Sequence, residues 1–312
     1  MKKIIYTTLL LLLGAVKLQY AQVNFESANV KTDKMMRSIQ NREDIVGTSI
    51  TIALKDSIIY SKGFGVIDRE RNIKTQPYHK FRVYSLSKHI TAVAAAKLAE
   101  EGKLDLDANI KNYLQFIDRK LETITSRQLI GHLSGVRSYQ NEEWQRFSNN
   151  RCSSPFESML FFQSDSLISQ PGEKYNYTTY GYVILSAVIE KVSGKRFIDY
   201  INEDIMEPAG LDKIKLDNPD IVDHLAAKPY EYYKNVMYPA RYANNTCKFG
   251  GGALLASTQD IINFNIALIN NKIIDKKTLS MVLSKMEINN GDYSDYGFGY
   301  QLETDKNGNS LA

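Results

Sequence analysis

Cysteine is scarce in this chain of 312 residues: there are two, too few for a disulfide scaffold, and no CxxC or Cys/His cluster has zinc spacing. Histidine is almost as rare, with four residues and no HExxH, which argues against metal catalysis and a resident metal or other cofactor. Glycine (18) and proline (7) show no period, so collagen-like and low-complexity classes are excluded. No excess of charge of one sign exists. The net +4 includes Lys2, Lys3 and Lys17, in a segment with no acid; without that segment the balance is +1, which gives no basis for nucleic-acid binding. What remains is 43% hydrophobic and 24% charged, the proportions of a folded globular protein.

Long apolar runs are also missing. The longest, Ile4–Val16, falls short of the about 20 residues that cross a bilayer. With Met1-Lys2-Lys3 before it and Ala21 behind it, residues 1–21 read as a secretory signal peptide. No cysteine lies near the cleavage point to accept a lipid. The expectation is a mature chain over 22–312 placed across the inner membrane, periplasmic or extracellular.

Element signals alternate in type along the mature chain. A polar helix is expected over Val23–Arg42, then strands at Thr48–Leu54 and Ser57–Gly63 around the turn Lys55-Asp56. Helices follow at Ser85–Glu101, Asp105–Asn112, Ser126–Leu133, Tyr180–Val192, Thr258–Asn270 and Asp275–Lys285, the fifth with Ser257 or Thr258 as its cap. A strand is expected at Tyr296–Glu303. The order predicts an α+β fold, an antiparallel sheet split in sequence around a helical subdomain of about 105–250. Asn307-Gly308 favours a tight hairpin, yet its return strand would begin at Ser310 and the sequence stops at Ala312. The C-terminal strands are therefore expected to be incomplete and the chain to be a fragment.

Ser85-Leu86-Ser87-Lys88 places a hydroxyl and an amine on one face at the start of the Ala-rich helix. A lysine can take a serine proton once burial or a neighbouring cation lowers its pKa, and a helix N-terminus offers N–H groups to a developing anion. Such a tetrapeptide arises by chance about once in a chain of this size, so its surroundings decide. Phe81 to Ala92, followed by Glu101-Gly102-Lys103-Leu104-Asp105, resembles the serine β-lactamase-related family, which includes class C β-lactamases, D-Ala-D-Ala carboxypeptidases, related esterases and the mitochondrial β-lactamase-like peptidase. Ile124–Val136, Pro171–Tyr182, Gly250–Asp260 and the opening strands through Gly65 resemble further blocks of that family in the same order.

The resemblance implies a β-lactamase/transpeptidase-like fold and a serine hydrolase that acts through an acyl-enzyme on a small-molecule or peptide substrate: a peptide, β-lactam or ester carbonyl. It implies Ser85 as nucleophile, Lys88 as its proton partner, and Tyr177 as the tyrosine that shares the base role and protonates the leaving group. Thr179 stands where many relatives carry asparagine. A hydroxyl lacks an amide's paired donor and acceptor, so this position points toward the peptidase branch rather than a dedicated β-lactamase. Four other Tyr-x-Asn matches, at Tyr139, Tyr200, Tyr233 and Tyr242, are read as chance. The family's third motif, Lys-Thr-Gly or His-x-Gly, occurs nowhere in the sequence. That absence leaves open a catalytically impaired binding or regulatory relative, or a plain envelope scaffold. His132 is expected to be a satisfied structural histidine, Gly250-Gly251-Gly252 a tight backbone turn, and the tyrosine-rich stretch 230–238 a roof over the helical region. Cys152 and Cys247 could pair in an oxidising compartment, but no proximity is legible, and whether they pair is left open.

Overall fold

The computed structural model describes residues 25–42, 45–234, 236–241, 243–304, 306 and 310–311. Residues 1–21, expected as a signal, and residues 307–309, expected as a turn, therefore lie outside the described residues. The chain forms two units, Met1–Pro77 and Tyr78–Ala312.

In the first unit, helix α1 (Phe25–Arg42) precedes strands β1 (Gly47–Leu54), β2 (Ser57–Asp68) and β3 (Ile73–Lys74), an antiparallel sheet in that order. The turn Lys55-Asp56 joins β1 to β2, with Leu54 opposite Ser57. Met36 of α1 buries against Tyr60 and Phe64 of β2, with Ile39 and Ile50 around them. Asp33 fastens the helix to the strand by accepting from Tyr60 Oη at 2.6 Å and Lys62 Nζ at 2.6 Å.

The second unit contains every residue of the candidate site. It opens with β4 (Phe81–Arg82), a 3-10 turn at Tyr84–Leu86 and helix α2 (Ser87–Glu100). Helices α3 (Ser126–Ile130), α4 (Glu143–Asn149), α5 (Pro155–Met159), α6 (Thr179–Ser193) and α7 (Phe197–Tyr200) follow. Then come β5 (Lys215–Leu216), the hairpin β6 (Tyr230–Tyr233) and β7 (Val236–Pro239), strand β8 (Leu254–Ala256), and helices α8 (Thr258–Ile269) and α9 (Lys276–Val282). The pairs β9 (Met286–Glu287) with β10 (Tyr293–Ser294), and β11 (Glu303–Thr304) with β12 (Ser310–Leu311), end the described chain. The architecture is mixed α and β, as expected, with a helical middle between strand sets.

Helices α2 and α6 form the centre of the core. Ala92 through Ala96 are fully buried, and so are Val183, Ile184, Leu185, Ala187, Val188 and Ile189. Small side chains on α2 let its neighbours approach closely, and the run has high helix propensity. Helix α6 starts at the Thr178 cap and stops at Gly194, which has φ 69°, the left-handed conformation that glycine adopts without penalty. Strand β8 lies between β4 and β5, with Arg82 opposite Leu255. This small sheet brings the segment before Ser85 beside the segment after Gly251.

Three expectations need correction, and one open point is decided. Asp105–Asn112 is not a helix: Asp105 accepts from the Asp107 N–H in a local turn, and only Ile110–Asn112 coils, as a 3-10 turn. Tyr296–Glu303 is not a continuous strand. Tyr296 bridges Gln301 around a tight turn in which Gly299 has φ 82°, and a Cβ there would sit 2.9 Å from the Lys88 carbonyl. The tyrosine-rich stretch is a hairpin with Tyr232, Tyr233 and Tyr238 exposed, because short runs of tyrosine and valine suit paired strands as well as they suit a roof. Cys152 and Cys247 are joined in a disulfide across 95 residues of sequence. The fold brings Cys152, just after α4, to the turn after Asn245, a proximity that spacing alone cannot encode.

Candidate active site

Ser85 sits at a strained corner. Tyr84, immediately before it, has φ 43°, a left-handed conformation that a bulky residue adopts only when the surroundings impose it. The corner is held from both sides: Val83 N–H donates to Leu254 O at 3.1 Å, and Leu254 N–H donates to Ser87 Oγ at 3.2 Å. The outcome is an exposed Ser85, flanked by the exposed side chains of Tyr84 and Leu86, one turn ahead of a buried Lys88.

Lys88 Nζ lies 3.2 Å from Ser85 Oγ, 3.5 Å from Thr179 Oγ1 and 2.6 Å from the Gly251 carbonyl. No carboxylate is among these partners. Burial, reinforced by the positive charge of Lys248, lowers the Lys88 pKa to about 7. The Gly251 carbonyl and the Thr179 hydroxyl orient the amine, so a neutral Lys88 can turn its lone pair toward the serine. Glycine is required at 251, because a Cβ would meet Thr179 O at 2.8 Å and Thr179 Cγ2 at 2.7 Å.

Tyr177 completes the group. Its ring centroid is 4.9 Å from Lys88 Nζ, and Ser85 lies close enough to act on its phenol. Burial raises the phenol pKa while the Ser85 contact opposes the rise, so Tyr177 is a protonated donor near neutrality. Thr179 is buried, with its backbone N–H toward Ser138 Oγ at 3.4 Å. Thus Ser85, Lys88, Tyr177 and Thr179 are brought together from two segments about ninety residues apart. The other Tyr-x-Asn tyrosines lie elsewhere: Tyr139 packs on Tyr180 and Phe147, Tyr200 is in the core and Tyr233 is on the exposed hairpin, while Tyr242 is outside the described residues.

His132 is closer to the site than the sequence suggests. Its Nδ1 accepts from Thr178 N–H at 3.1 Å and its carbonyl accepts from Asn176 N–H at 2.8 Å, so it grips the chain on both sides of Tyr177. Its ring centroid is 4.4 Å from that of Tyr177. Burial and the nearby Lys88 keep it neutral. Only half of the expected satisfaction is present, since Nε2 has no partner among the described residues. His132→Phe is expected to slow labelling of Ser85 by a serine-directed probe by about 10–100-fold, because displacement of a proton donor by ~1 Å carries penalties of that size, and to lower the melting temperature by a few degrees, because the buried Thr178 N–H loses its acceptor. Single-turnover labelling beside a thermal melt checks it.

Lys248 and its partners had no legible signal. A lysine before a glycine-rich turn has no diagnostic spacing, and its burial becomes visible only in the fold. Among the described residues, no cluster of His, Cys, Asp or Glu could hold a metal ion, and no helix is long and apolar enough to cross a membrane.

The profile of the Beta-lactamase family matches residues 32–311. The mitochondrial serine beta-lactamase-like protein LACTB of Homo sapiens is 24% identical over 78% of this chain and 57% of its own length. The putative penicillin-binding protein PbpX of Bacillus subtilis is 27% identical over 88% of this chain and 67% of its own length. The chain thus spans less than two thirds of the mitochondrial relative's length. Among solved structures, the octameric penicillin-binding protein homologue from Pyrococcus abyssi superposes with TM-score 0.75 at 26% identity, covering 90% of this chain and 66% of that one. EstCE1, a hydrolase with promiscuous acyltransferase activity, shares the fold, with TM-score 0.77 at 19% identity over 92% of this chain and 86% of that one. A family match across nearly the whole chain settles its membership: it belongs to the beta-lactamase family, among the serine hydrolases related to penicillin-binding proteins.

Proposed function

We propose that the chain is a secreted serine hydrolase that cleaves a peptide, β-lactam or ester carbonyl through an acyl-enzyme on Ser85. The observation that carries this reading is the 3.2 Å contact between Ser85 Oγ and a buried Lys88 Nζ whose pKa falls to about 7. In the free enzyme, neutral Lys88 accepts the Ser85 proton as Oγ attacks the carbonyl carbon. The Ser85 N–H is directed at the developing oxyanion, with the start of α2 behind it. Collapse of the tetrahedral species breaks the bond to the leaving group. Tyr177 donates its phenolic proton there and recovers one from Lys88. Water then hydrolyses the ester. Thr179 is assigned to the substrate-binding edge of the site. Residues 1–21 are assigned as the export signal.

A second reading, a catalytically impaired binding or regulatory relative, takes up the absence of Lys-Thr-Gly and His-x-Gly from the residues given, since one missing oxyanion donor lowers the rate by about 10²–10³. One experiment covers both readings. A fluorophosphonate probe is expected to add one label to the protein, seen by intact mass, and Ser85→Ala is expected to abolish it. An unlabelled wild type, or a label that survives Ser85→Ala, defeats the nucleophile assignment. Labelling without turnover of D-amino-acid peptides, β-lactams or esters selects the second reading.

A further inference from the structure

A second lysine is buried beneath the nucleophile. Lys248 lies in the turn Thr246–Gly251, the same turn whose Gly251 carbonyl holds Lys88. Lys248 is 8% exposed, and its Nζ is 5.9 Å from the ring centroid of Tyr84, the residue that precedes Ser85. The ammonium donates to Asn245 Oδ1 at 2.6 Å and Ser148 Oγ at 3.5 Å. Asn245 turns its amide N–H₂ the other way, onto Asp217. Asp217 in turn is taken by Arg82, with Arg82 Nε 2.6 Å from its carboxylate.

The order of this chain of contacts matters. Asp217 spends its charge on the guanidinium, and an uncharged amide stands between it and Lys248. Among the described residues no carboxylate lies in ion-pair contact with Lys248, although Asp217 is near enough to oppose the lowering of its pKa. The cluster Arg82, Lys248, Lys88 and Asp217 therefore carries excess positive charge in a low-dielectric interior, where unscreened cations act strongly on one another. A cation there is unfavourable for stability alone, and it survives only in a fold that imposes it.

We propose that Lys248 is a positioning residue of the acylation step, a second buried ammonium that acts on Ser85 through Lys88. The inference rests on the reading of Ser85 as nucleophile. Lys248 disfavours a second ammonium at Lys88, and so does the start of α2, in whose first turn Lys88 stands. The order of deprotonation follows: Lys88 near pH 7 and Lys248 near pH 8, the latter lowered by burial and Arg82. The other groups facing Lys88 do not titrate between these values. Tyr177 and Tyr182 are raised by burial, and His89 and His132 are lowered by burial and by Lys88 itself. Around Lys248 the remaining groups are Arg82, Asp217, Asn245, Ser148 and the Tyr84 ring.

The test is the pH profile of fluorophosphonate labelling of the full chain from about pH 5 to 10. Removing the neighbouring charge raises the Lys88 pKa, so Lys248→Met is expected to move the inflection up by about one unit. Labelling at pH 7 then slows about fivefold, and the rates converge above about pH 9. Lys248→Arg keeps the charge and is expected to hold the inflection near the wild-type value. Ser148→Asp, which supplies Lys248 with a carboxylate, is expected to shift it in the same direction as Lys248→Met and serves if that variant does not fold. A wild type that is not labelled brings down the nucleophile reading and this inference with it. A labelled wild type with an unmoved inflection in Lys248→Met, whatever its plateau, overturns this inference alone.

Discussion

Lys88→Met is expected to lower the acylation rate of Ser85 by about 10³-fold while raising the stability of the fold. The first effect follows from losing the base. A positioned proton acceptor is worth about 10²–10⁴ in rate, and Lys88 is the amine in contact with Ser85 Oγ. The second effect follows from burial. The folded pKa of Lys88 lies near 7 against an ordinary 10.5. Below pH 7 the protein must bury an ammonium that the unfolded chain keeps hydrated, so the destabilisation is constant there. Between about pH 7 and 10.5 the unfolded chain binds the extra proton, and stability rises with pH; above that range the contribution vanishes. Methionine fills similar space without charge and removes a penalty on the order of 2–4 kcal/mol near neutrality. Calorimetry at pH 6 checks the sign, and labelling rates check the loss. A methionine variant that melts lower, with intact packing by near-UV circular dichroism, argues against the buried, desolvated amine.

The disulfide carries the second large effect. Cys152–Cys247 closes a loop with a sequence separation of 95 residues. Chain-entropy arguments give about 4.7 kcal/mol for a loop of that size, or a fall in melting temperature on the order of 10 °C for a protein this large. The loss should reach the site as well. Cys247 adjoins Lys248 and belongs to the turn whose Gly251 carbonyl holds Lys88. Cys152→Ser with Cys247→Ser is therefore expected to melt lower and to label more slowly than the wild type. Calorimetry with and without dithiothreitol gives the direct reading: reductant should lower the wild-type midpoint and leave the double variant unchanged. Equal midpoints for the wild type in both buffers would contradict a stabilising role for the bond.

The two lysines show how local rules were kept or broken. Lys88 was legible because the chemistry of Ser-x-x-Lys on a helix start is local: hydroxyl and amine share a face wherever that helix forms. Tyr177 was singled out among five tyrosines of the same pattern by Pro171-Gly172 before it and the apolar helix after it. Lys248 broke the local rule that lysines are solvated, and such a breach is invisible until the packing is known. His132 likewise read as an ordinary structural residue, because nothing local says that its ring lies against Tyr177.

Secondary structure divides along the same line. The helices at Ser87–Glu100, Thr179–Ser193 and Thr258–Ile269 and the hairpin at Gly47–Asp68 were determined by propensity, caps and turn residues, all of which act over a few positions. The capping box of Ser257 with Asp260 is an example complete within one turn. Only tertiary structure decided that Gly299 interrupts a strand-like run to pass the Lys88 carbonyl, and that Cys152 meets Cys247. It alone decided that the Gly251 carbonyl faces the Lys88 amine and that Asp217 is spent on Arg82 instead of Lys248. The reason is the range of the forces involved. Backbone preferences are set by neighbours in sequence, whereas desolvation, charge and close packing depend on what the folded chain brings within a few ångströms.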